Sequence, residues 1–395
     1  MKTQIAAIDF GTSKIVTIVA QSGGISRLDI IGSGTVPYAG FSGGDWNEPD
    51  VLTDAVRDSV AAAELEANAK IREVYVGVPG DYVHVATGEA EIELTGPITE
   101  DEINRVQDLV ADKLRVVEKG GYVLHRSPAW FSIDDGKKTM EPMGGTGARL
   151  RARVSFMIAD PVFVDDAAEL MGMLGITVLG FLSPMLGECL LFLSLEDRDR
   201  IAMIVDVGYL TTEVAVVEGD AVVYHAMLGS GGGFMTAALA EGIKLPMHMA
   251  EQVKRAYLFN PDEFDQDNFY SAYDNDGRRV DVQRVSVSRN MDEAMDELCD
   301  LIDKTLKNDA AQYFGPRSQI YLTGGGIALM RGGREYLAAR VGRPVKVPAQ
   351  KTAKLNSPVY ASALGLVSLV FDSIEQQDTG EQGLGKKIAG LFKRG

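Results

Sequence analysis

The chain has 395 residues, 46% apolar and 24% charged, with 39 Lys and Arg against 56 Asp and Glu and a net charge of −17 at pH 7. That length admits two or more domains with ample core, and a mean hydropathy of −0.01 is that of a globular protein. So acidic a chain argues against nucleic acid as the main partner, because phosphate neutralisation needs clustered Lys and Arg; Cys189, Cys299 and four scattered histidines build neither a zinc site nor a disulfide framework.

The N-terminus enters an apolar run within five residues, which leaves no room for a secretory leader. No run approaches the roughly 18 apolar residues of a spanning helix, so the body of the protein is expected in the cytosol. Residues 5–9, 15–20, 28–35 and 74–78 read as strands, with an Ala- and Leu-faced helix at 51–70 between the third and fourth, hence an α/β layer. From about 81 to 160 the pattern changes to a small α+β unit. Its strands are expected at 83–90, 90–94, 123–125, 130–133 and 150–158. Thr99-Glu100-Asp101-Glu102 opens a helix there with a cap and early acids. Residues 165–174 read as helix, 178–181 as strand and 185–195 as helix. Residues 234–257 and 290–313 are helical, and a polar stretch at 260–279 between them reads as surface loop or hairpin. The run 320–323 is a strand that enters Gly324-Gly325-Gly326 and a following helix, and 360–371 is a last apolar helix. Both cysteines fall in apolar or amphipathic helical contexts and read as buried structural residues.

Two stretches nearly two hundred residues apart repeat one plan. Each is an apolar β-run, then Asp-x-Gly, then hydroxyl residues, then a second apolar β-run: Asp9-Phe10-Gly11-Thr12-Ser13-Lys14, and Asp206-Val207-Gly208 followed by Thr211 and Thr212. Each predicts a hairpin whose turn offers backbone N–H groups to polyphosphate and an Asp to a hydrated cation. A single such turn is equally an ordinary hairpin; the pair favours a nucleotide held between two related halves. Gly324, Gly325 and Gly326 predict a close ligand approach with a helix N-terminus behind. Gly231, Gly232 and Gly233 predict an N–H-rich loop opening a helix. Glu251 and Lys254, one helical face apart, suit a ribose and a base, or else form an exposed i,i+3 ion pair.

In this order the pieces resemble the actin–Hsp70–sugar kinase superfamily, with 185–195 and 358–366 where its connecting helices fall. The resemblance implies an ATP and Mg²⁺ cleft between two domains, Asp9 and Asp206 holding the metal through water. The run Val74-Tyr75-Val76-Gly77-Val78-Pro79-Gly80, then Ile98–Ile103, Leu124-His125-Arg126-Ser127-Pro128 and Glu141–Leu150, narrows it: the chain is similar to the FtsA family of bacterial cell-division proteins over essentially its whole length. That resemblance implies a two-domain actin-like fold divided as follows. Residues 1–80 form subdomain 1A, 81–160 an inserted 1C, 161–200 the rest of 1A with the first connecting helix, and 201–228 the second core, 2A. Residues 229–312 form the small 2B, 313–371 the rest of 2A, 372–382 a linker and 383–395 an amphipathic helix. It further implies self-assembly into filaments, capture of the FtsZ C-terminal peptide by 229–312, and recruitment of later division proteins through 81–160. Tyr209 and Leu210, where the family usually has more glycine, and the lack of an evident base beyond Glu188, point to ATP binding with slow or negligible hydrolysis.

The last thirteen residues carry their own signal. Leu384, Ile388, Leu391 and Phe392 make one helical stripe, flanked by Lys386, Lys387, Lys393 and Arg394 with no acid. On so acidic a chain this reads as an interfacial anchor for anionic lipid on the inner membrane face; a helix docked on the protein's own body or a frayed tail are the other readings. Burying four apolar side chains gives roughly 6–10 kcal/mol, largely offset by roughly 1 kcal/mol per residue of ordering, while each basic residue adds about 1 kcal/mol. A single tail therefore binds reversibly and a filament of tails firmly. A pilus-assembly adaptor of the PilM type and a metabolite kinase of the same superfamily remain as alternatives. The kinase would need a catalytic Asp over a substrate cleft, which no loop supplies.

Overall fold

A computed structural model describes residues 3–22, 28–38, 41–42, 45–46, 48–116, 120–259, 268–313, 318–349 and 352–378. Two five-stranded sheets carry the same topology. In the first, β1 (Gln4–Phe10), β2 (Lys14–Gln21) and β3 (Asp29–Pro37) run antiparallel. After a two-residue ladder of β4 (Phe41–Ser42) and β5 (Asp45–Trp46) and helix α1 (Pro49–Ala67), β6 (Glu73–Gly77) adds parallel to β1. Strand β10 (Thr177–Leu182) then adds parallel to β6. In the second, β11 (Ala202–Val207), β12 (Thr212–Glu218) and β13 (Ala221–Leu228) run antiparallel, with β16 (Ile320–Thr323) and β17 (Val345–Lys346) parallel on the other flank. The duplicated hairpins are thus the matching first two strands of duplicated sheets.

Alternation along β11 and β12 divides the second sheet's side chains between two cores, as the strand period of two requires. Ala202, Ile204, Ala215 and Val217 join the core of the first sheet, while Met203, Val205, Val214 and Val216 face the second half's own helices. The shared core is completed by α3 (Pro161–Met173), α4 (Pro184–Phe192) and α10 (Ala361–Asp378), the last two crossing where the halves meet. On the far side of the second sheet lie α6 (Gly232–Ile243), α7 (Met247–Ala256), α8 (Arg284–Lys307) and α9 (Gly333–Val341), with short α5 (Leu195–Asp199) before β11.

The insert is a three-stranded antiparallel sheet in the order β7 (Val83–Glu93), β9 (Arg149–Ala159), β8 (Tyr122–Ile133), covered by α2 (Glu100–Leu114). Thr99 and Glu102 close a capping box at the start of α2, as read from the sequence. The separate strands expected at 83–90 and 90–94 are one, and so are those at 123–125 and 130–133. Strand β8 bridges its Pro128 because it is a sheet edge, where irregularities beside Val123 and Pro128 absorb the missing donor. The insert docks through Leu124, Met157 and Ala159, which enter the shared core. Beside them His125 Nε2 accepts a hydrogen bond from the Ser183 N–H at 2.8 Å, at the cap of α4. Burial lowers the His125 pKa to about 3. The folded state therefore resists a proton that the unfolded chain accepts below its ordinary value of 6.5, so this contact loses stability as pH falls through 6.5 toward 3. We expect the drop in urea midpoint between pH 7 and pH 5 to be smaller in His125→Gln than in the native chain.

Other boundaries moved as well. Pro246 splits the helix expected at 234–257 into α6 and α7, α8 starts six residues before 290, and 268–283 forms the hairpin β14 (Phe269–Tyr273) and β15 (Arg279–Gln283). The helix expected at 185–195 ends at Phe192, and Ser194 caps α5 anew. The linker reading of 372–378 is wrong. Helix α10 continues to Asp378 because Phe371 and Ser373 are buried, Ser373 Oγ bonds Leu369 O at 2.8 Å and Ile374 packs on the core. The remainder of that linker and the amphipathic segment, with Leu384, Lys386, Lys387, Ile388, Leu391, Phe392, Lys393 and Arg394, lie outside the described residues. Among the described residues no helix is long and apolar enough to cross a membrane.

Candidate functional site

The two Asp-x-Gly turns face each other across the junction of the halves. Each is closed by the same bond, Gly11 N–H to Lys14 O at 3.0 Å and Gly208 N–H to Thr211 O at 2.9 Å. The tips touch: the Leu210 N–H donates to Thr12 Oγ1 at 3.1 Å. A cavity of about 120 Å³ is lined by Asp9, Gly11, Lys14, Asp206, Thr211 and Glu213, with Thr12, Ser13, Gly208, Gly324 and Gly325 also on its walls. A second cavity of about 350 Å³ adjoins it through Ser13, Lys14, Gly208, Tyr209, Gly325 and Val359, and reaches Glu251, Lys254, Gly232 and Gly326. That volume is in the range of small-molecule sites.

Charge in the first cavity is held under strain of burial. Burial raises the Asp9 pKa against a 2.7 Å hydrogen bond from Ser362 Oγ on α10. Burial lowers that of Lys14, which Asp9 and Asp206 counteract. Asp206 rises to about 6, chiefly through burial and opposed by a hydrogen bond from Glu188. Glu188, 1% exposed on α4, is pushed well above the carboxylate range by burial and then by Asp206, and its Oε2 accepts from Thr323 Oγ1 at 2.7 Å. It therefore backs Asp206 and is not on the cavity wall, which makes it a poor site for positioning water. Glu213, opposite Asp206 in the hairpin register, is on the wall and bonds His225 Nε2 at 2.6 Å. Asp81 is there too, its pKa raised by burial and by Glu213.

Several expected ligand groups are used by the protein itself. The Gly232 and Gly233 N–H groups donate to Gly208 O at 3.0 Å and Tyr209 O at 2.6 Å, and the Gly231 carbonyl accepts from Phe234 N. The glycine loop thus clamps the second hairpin. Thr212 is fully buried and its hydroxyl donates to Ser230 O at 2.7 Å, so of the two threonines only Thr211 lines the cavity. The helix expected directly after Gly326 begins only at Gly333. What glycine serves at 324 is approach to protein: φ is +79°, and a Cβ would stand 2.0 Å from Asp206 Oδ1. Gly326 N–H bonds Val207 O at 2.7 Å. Glu251 and Lys254 do pair at 2.7 Å, but Lys254 is only 4% exposed, and its ammonium also donates to Gly232 O at 2.8 Å and stands 5.7 Å from the Tyr209 ring centroid. Burial lowers the Lys254 pKa. Thr236 Oγ1 adds a 2.5 Å bond to Glu251.

Among the described residues no three His, Cys, Asp or Glu side chains converge as a metal centre. Two carboxylates with Lys14 between them nevertheless match the usual Mg²⁺ pattern of one or two carboxylates, water and substrate phosphate. Glu213, Asp81 and Ser362 escaped the sequence reading. Glu213 was recoverable from the hairpin register, whereas Ser362 comes from 353 residues away with no local signal.

Residues 203–365 match the family model described as cell division protein FtsA, and residues 80–158 match the SHS2 domain inserted in FtsA. The chain belongs to the FtsA family. Proteins named cell division protein FtsA from Pseudomonas aeruginosa and Escherichia coli K12 are 23% and 24% identical to it, each alignment covering 92% of this chain and 88% and 89% of the relative. The fold is actin-like. A PilM–PilN type IV pilus biogenesis complex superposes with a TM-score of 0.63 at 18% identity, covering 93% of this chain and 98% of that one. MreB5 of Spiroplasma citri bound to ADP gives 0.53 at 14%, covering 96% and 99%. For this FtsA-family chain the SHS2 match falls on β7 to β9, and the larger match on the second sheet and its helices.

Proposed function

We propose that this FtsA-family chain is an ATP-binding cell-division protein that assembles into filaments on the inner face of the membrane. The observation that supports it most is the pair of equivalent hairpins closing on one charged cavity, with an FtsA-type insert beside it. Asp9 and Asp206 would hold a hydrated Mg²⁺, which would supply positive charge to neutralise the phosphates. Lys14 and the turn amides would hold the anionic oxygens, Ser362 would fix the Asp9 carboxyl, and Tyr209, Lys254 and Glu251 would flank the nucleoside. Thr12 touching Leu210 across the junction supports a nucleotide-sensitive spacing of the halves. With Glu188 behind Asp206, hydrolysis is expected to be slow.

In this reading 229–312 takes the FtsZ C-terminal peptide. Exposed Phe269, Val280 and Val285 give that region an apolar surface, bordered by the ion pairs Arg278–Asp276, Arg279–Asp281 and Arg289–Glu293. Residues 81–160 recruit later division proteins, and 383–395 attach the filament to anionic lipid as a peripheral protein at the division site. Electron microscopy of the purified chain with ATP and magnesium on an anionic lipid monolayer tests this, with and without 383–395. Filaments that need ATP and the tail support it; particles that never associate, or filaments indifferent to the tail, overturn it.

A further inference from the structure

Both halves hold the insert, and one strand makes both attachments. Near its start β8 gives Leu124 to the core of the first sheet, joined there by Met157 and Ala159 of β9. Further along, its Ala129 and Trp130 enter the core of the second half. Register irregularities beside Val123 and Pro128 let the strand bend between these two anchors. All three strands of the insert pack along β13, the edge of the second sheet.

Charge ties the second attachment. Glu218, the last residue of β12 and 4% exposed, binds Lys138 Nζ at 2.6 Å through one oxygen and Arg153 Nη1 at 2.9 Å through the other, both from the insert. Lys138 also stands 4.7 Å from the centroid of the Trp130 ring. Arg153 stands 5.6 Å from that of Tyr313, whose hydroxyl donates to Val223 O on β13 at 3.3 Å. Ser155 Oγ of β9 donates to Val222 O. A Cβ at Gly219 would come within 2.1 Å of Ala129 O, so the β12–β13 turn and the insert are in direct backbone contact. Removing one member of a buried charged set leaves its partners uncompensated out of water, so the bonds at Glu218 form and break together.

We propose that the insert is a strap across the two halves, rooted in the first and fastened to the second by Glu218, and that the hairpin tips part only when the strap lets go. The tips touch through the Leu210 N–H and Thr12 Oγ1, a bond between the halves that any separation of them breaks. Coupling of this kind is reciprocal: whatever draws the insert away from β13 also favours parted tips, and parted tips favour a freed insert. None of this depends on what the cavity between the hairpins binds.

Hydrogen exchange at the Leu210 amide reads the parting directly, because an amide exchanges in proportion to how often its bond opens. Measured residue by residue on the full chain by mass spectrometry, it should run about tenfold faster in Glu218→Gln than in the native chain. Amides of α2 in the insert and of α8 in the second half should keep their native rates, since a released strap leaves both units folded. Lys138→Met is the milder variant: it replaces a side chain that is 57% exposed and keeps an apolar contact for Trp130. It should speed Leu210 exchange by about threefold, as one partly exposed arm of the bridge is lost. A Leu210 rate equal to the native one in both variants would overturn the strap. So would acceleration shared equally by α2 and α8, which would make Glu218 an element of overall stability alone.

Discussion

Asp206→Asn is expected to separate binding from stability. Affinity for ATP with magnesium, measured by calorimetry, should fall at least about tenfold, because the substitution removes one of two carboxylates available to a hydrated cation. The same change should raise the thermal midpoint of the nucleotide-free chain at pH 7. The carboxyl is shifted from an ordinary 3.8 to about 6, mainly by burial. Between those values the folded state keeps a proton that the unfolded chain has released, so folding is favoured at low pH and the advantage is lost as pH rises through about 6. Above that, the ionised group is a cost that Asn does not carry. The carboxyl lines a cavity, so water softens the penalty and roughly 1–2 kcal/mol is expected, below the 1.4 kcal/mol per unit of a sealed site. At pH 4 the two chains should melt together. Undiminished ATP affinity would remove Asp206 from the cation site, and a lower midpoint at pH 7 would show that the ionised carboxylate is stabilising. Active-site groups held against their own burial are a common source of such trade-offs.

What was legible in the sequence is what local chemistry encodes. The hairpins at Asp9 and Asp206 announce themselves because turn, carboxylate and flanking β-runs are contiguous, and the capping box at Thr99 because its two members are three residues apart. Misreadings came where a partner from elsewhere decides the outcome. Polar composition made 372–378 read as linker, yet the shared core accepts Phe371 and Ile374 and carries the helix on to Asp378. Gly232 and Gly233 read as ligand donors because nothing local shows that Gly208 O and Tyr209 O will take their amides. Lys254 reads equally as an exposed ion pair until Gly232 O and the Tyr209 ring close over it. Ser362 reaches Asp9 only through the crossing of the two connecting helices.

That crossing leaves no room for a side chain, and Gly187→Ala is expected to break it. Helices α4 and α10 meet backbone to backbone: a Cβ at Gly187 would lie 2.2 Å from Gly365 O, and one at Gly365 would lie 2.4 Å from Glu188 N. Carbonyl and amide atoms of a helix have no rotamer with which to step aside, so the helices must separate, at about 3 kcal/mol, the upper end of ordinary overpacking. Gly172→Ala in α3 is the control, since a methyl there meets nothing within 4 Å and should be neutral or slightly stabilising. The consequence extends to the cavity proposed to hold the nucleotide. Helix α10 brings Ser362 to Asp9, and α4 brings Glu188 to Thr323 and Asp206, so parting them loosens both carboxylates at once. Gly187→Ala should therefore lower the urea midpoint and weaken ATP binding together, measured well below its own transition. A destabilised variant that binds ATP as tightly as the native chain would show that the carboxylates are positioned by their own hairpins and not by the crossing helices.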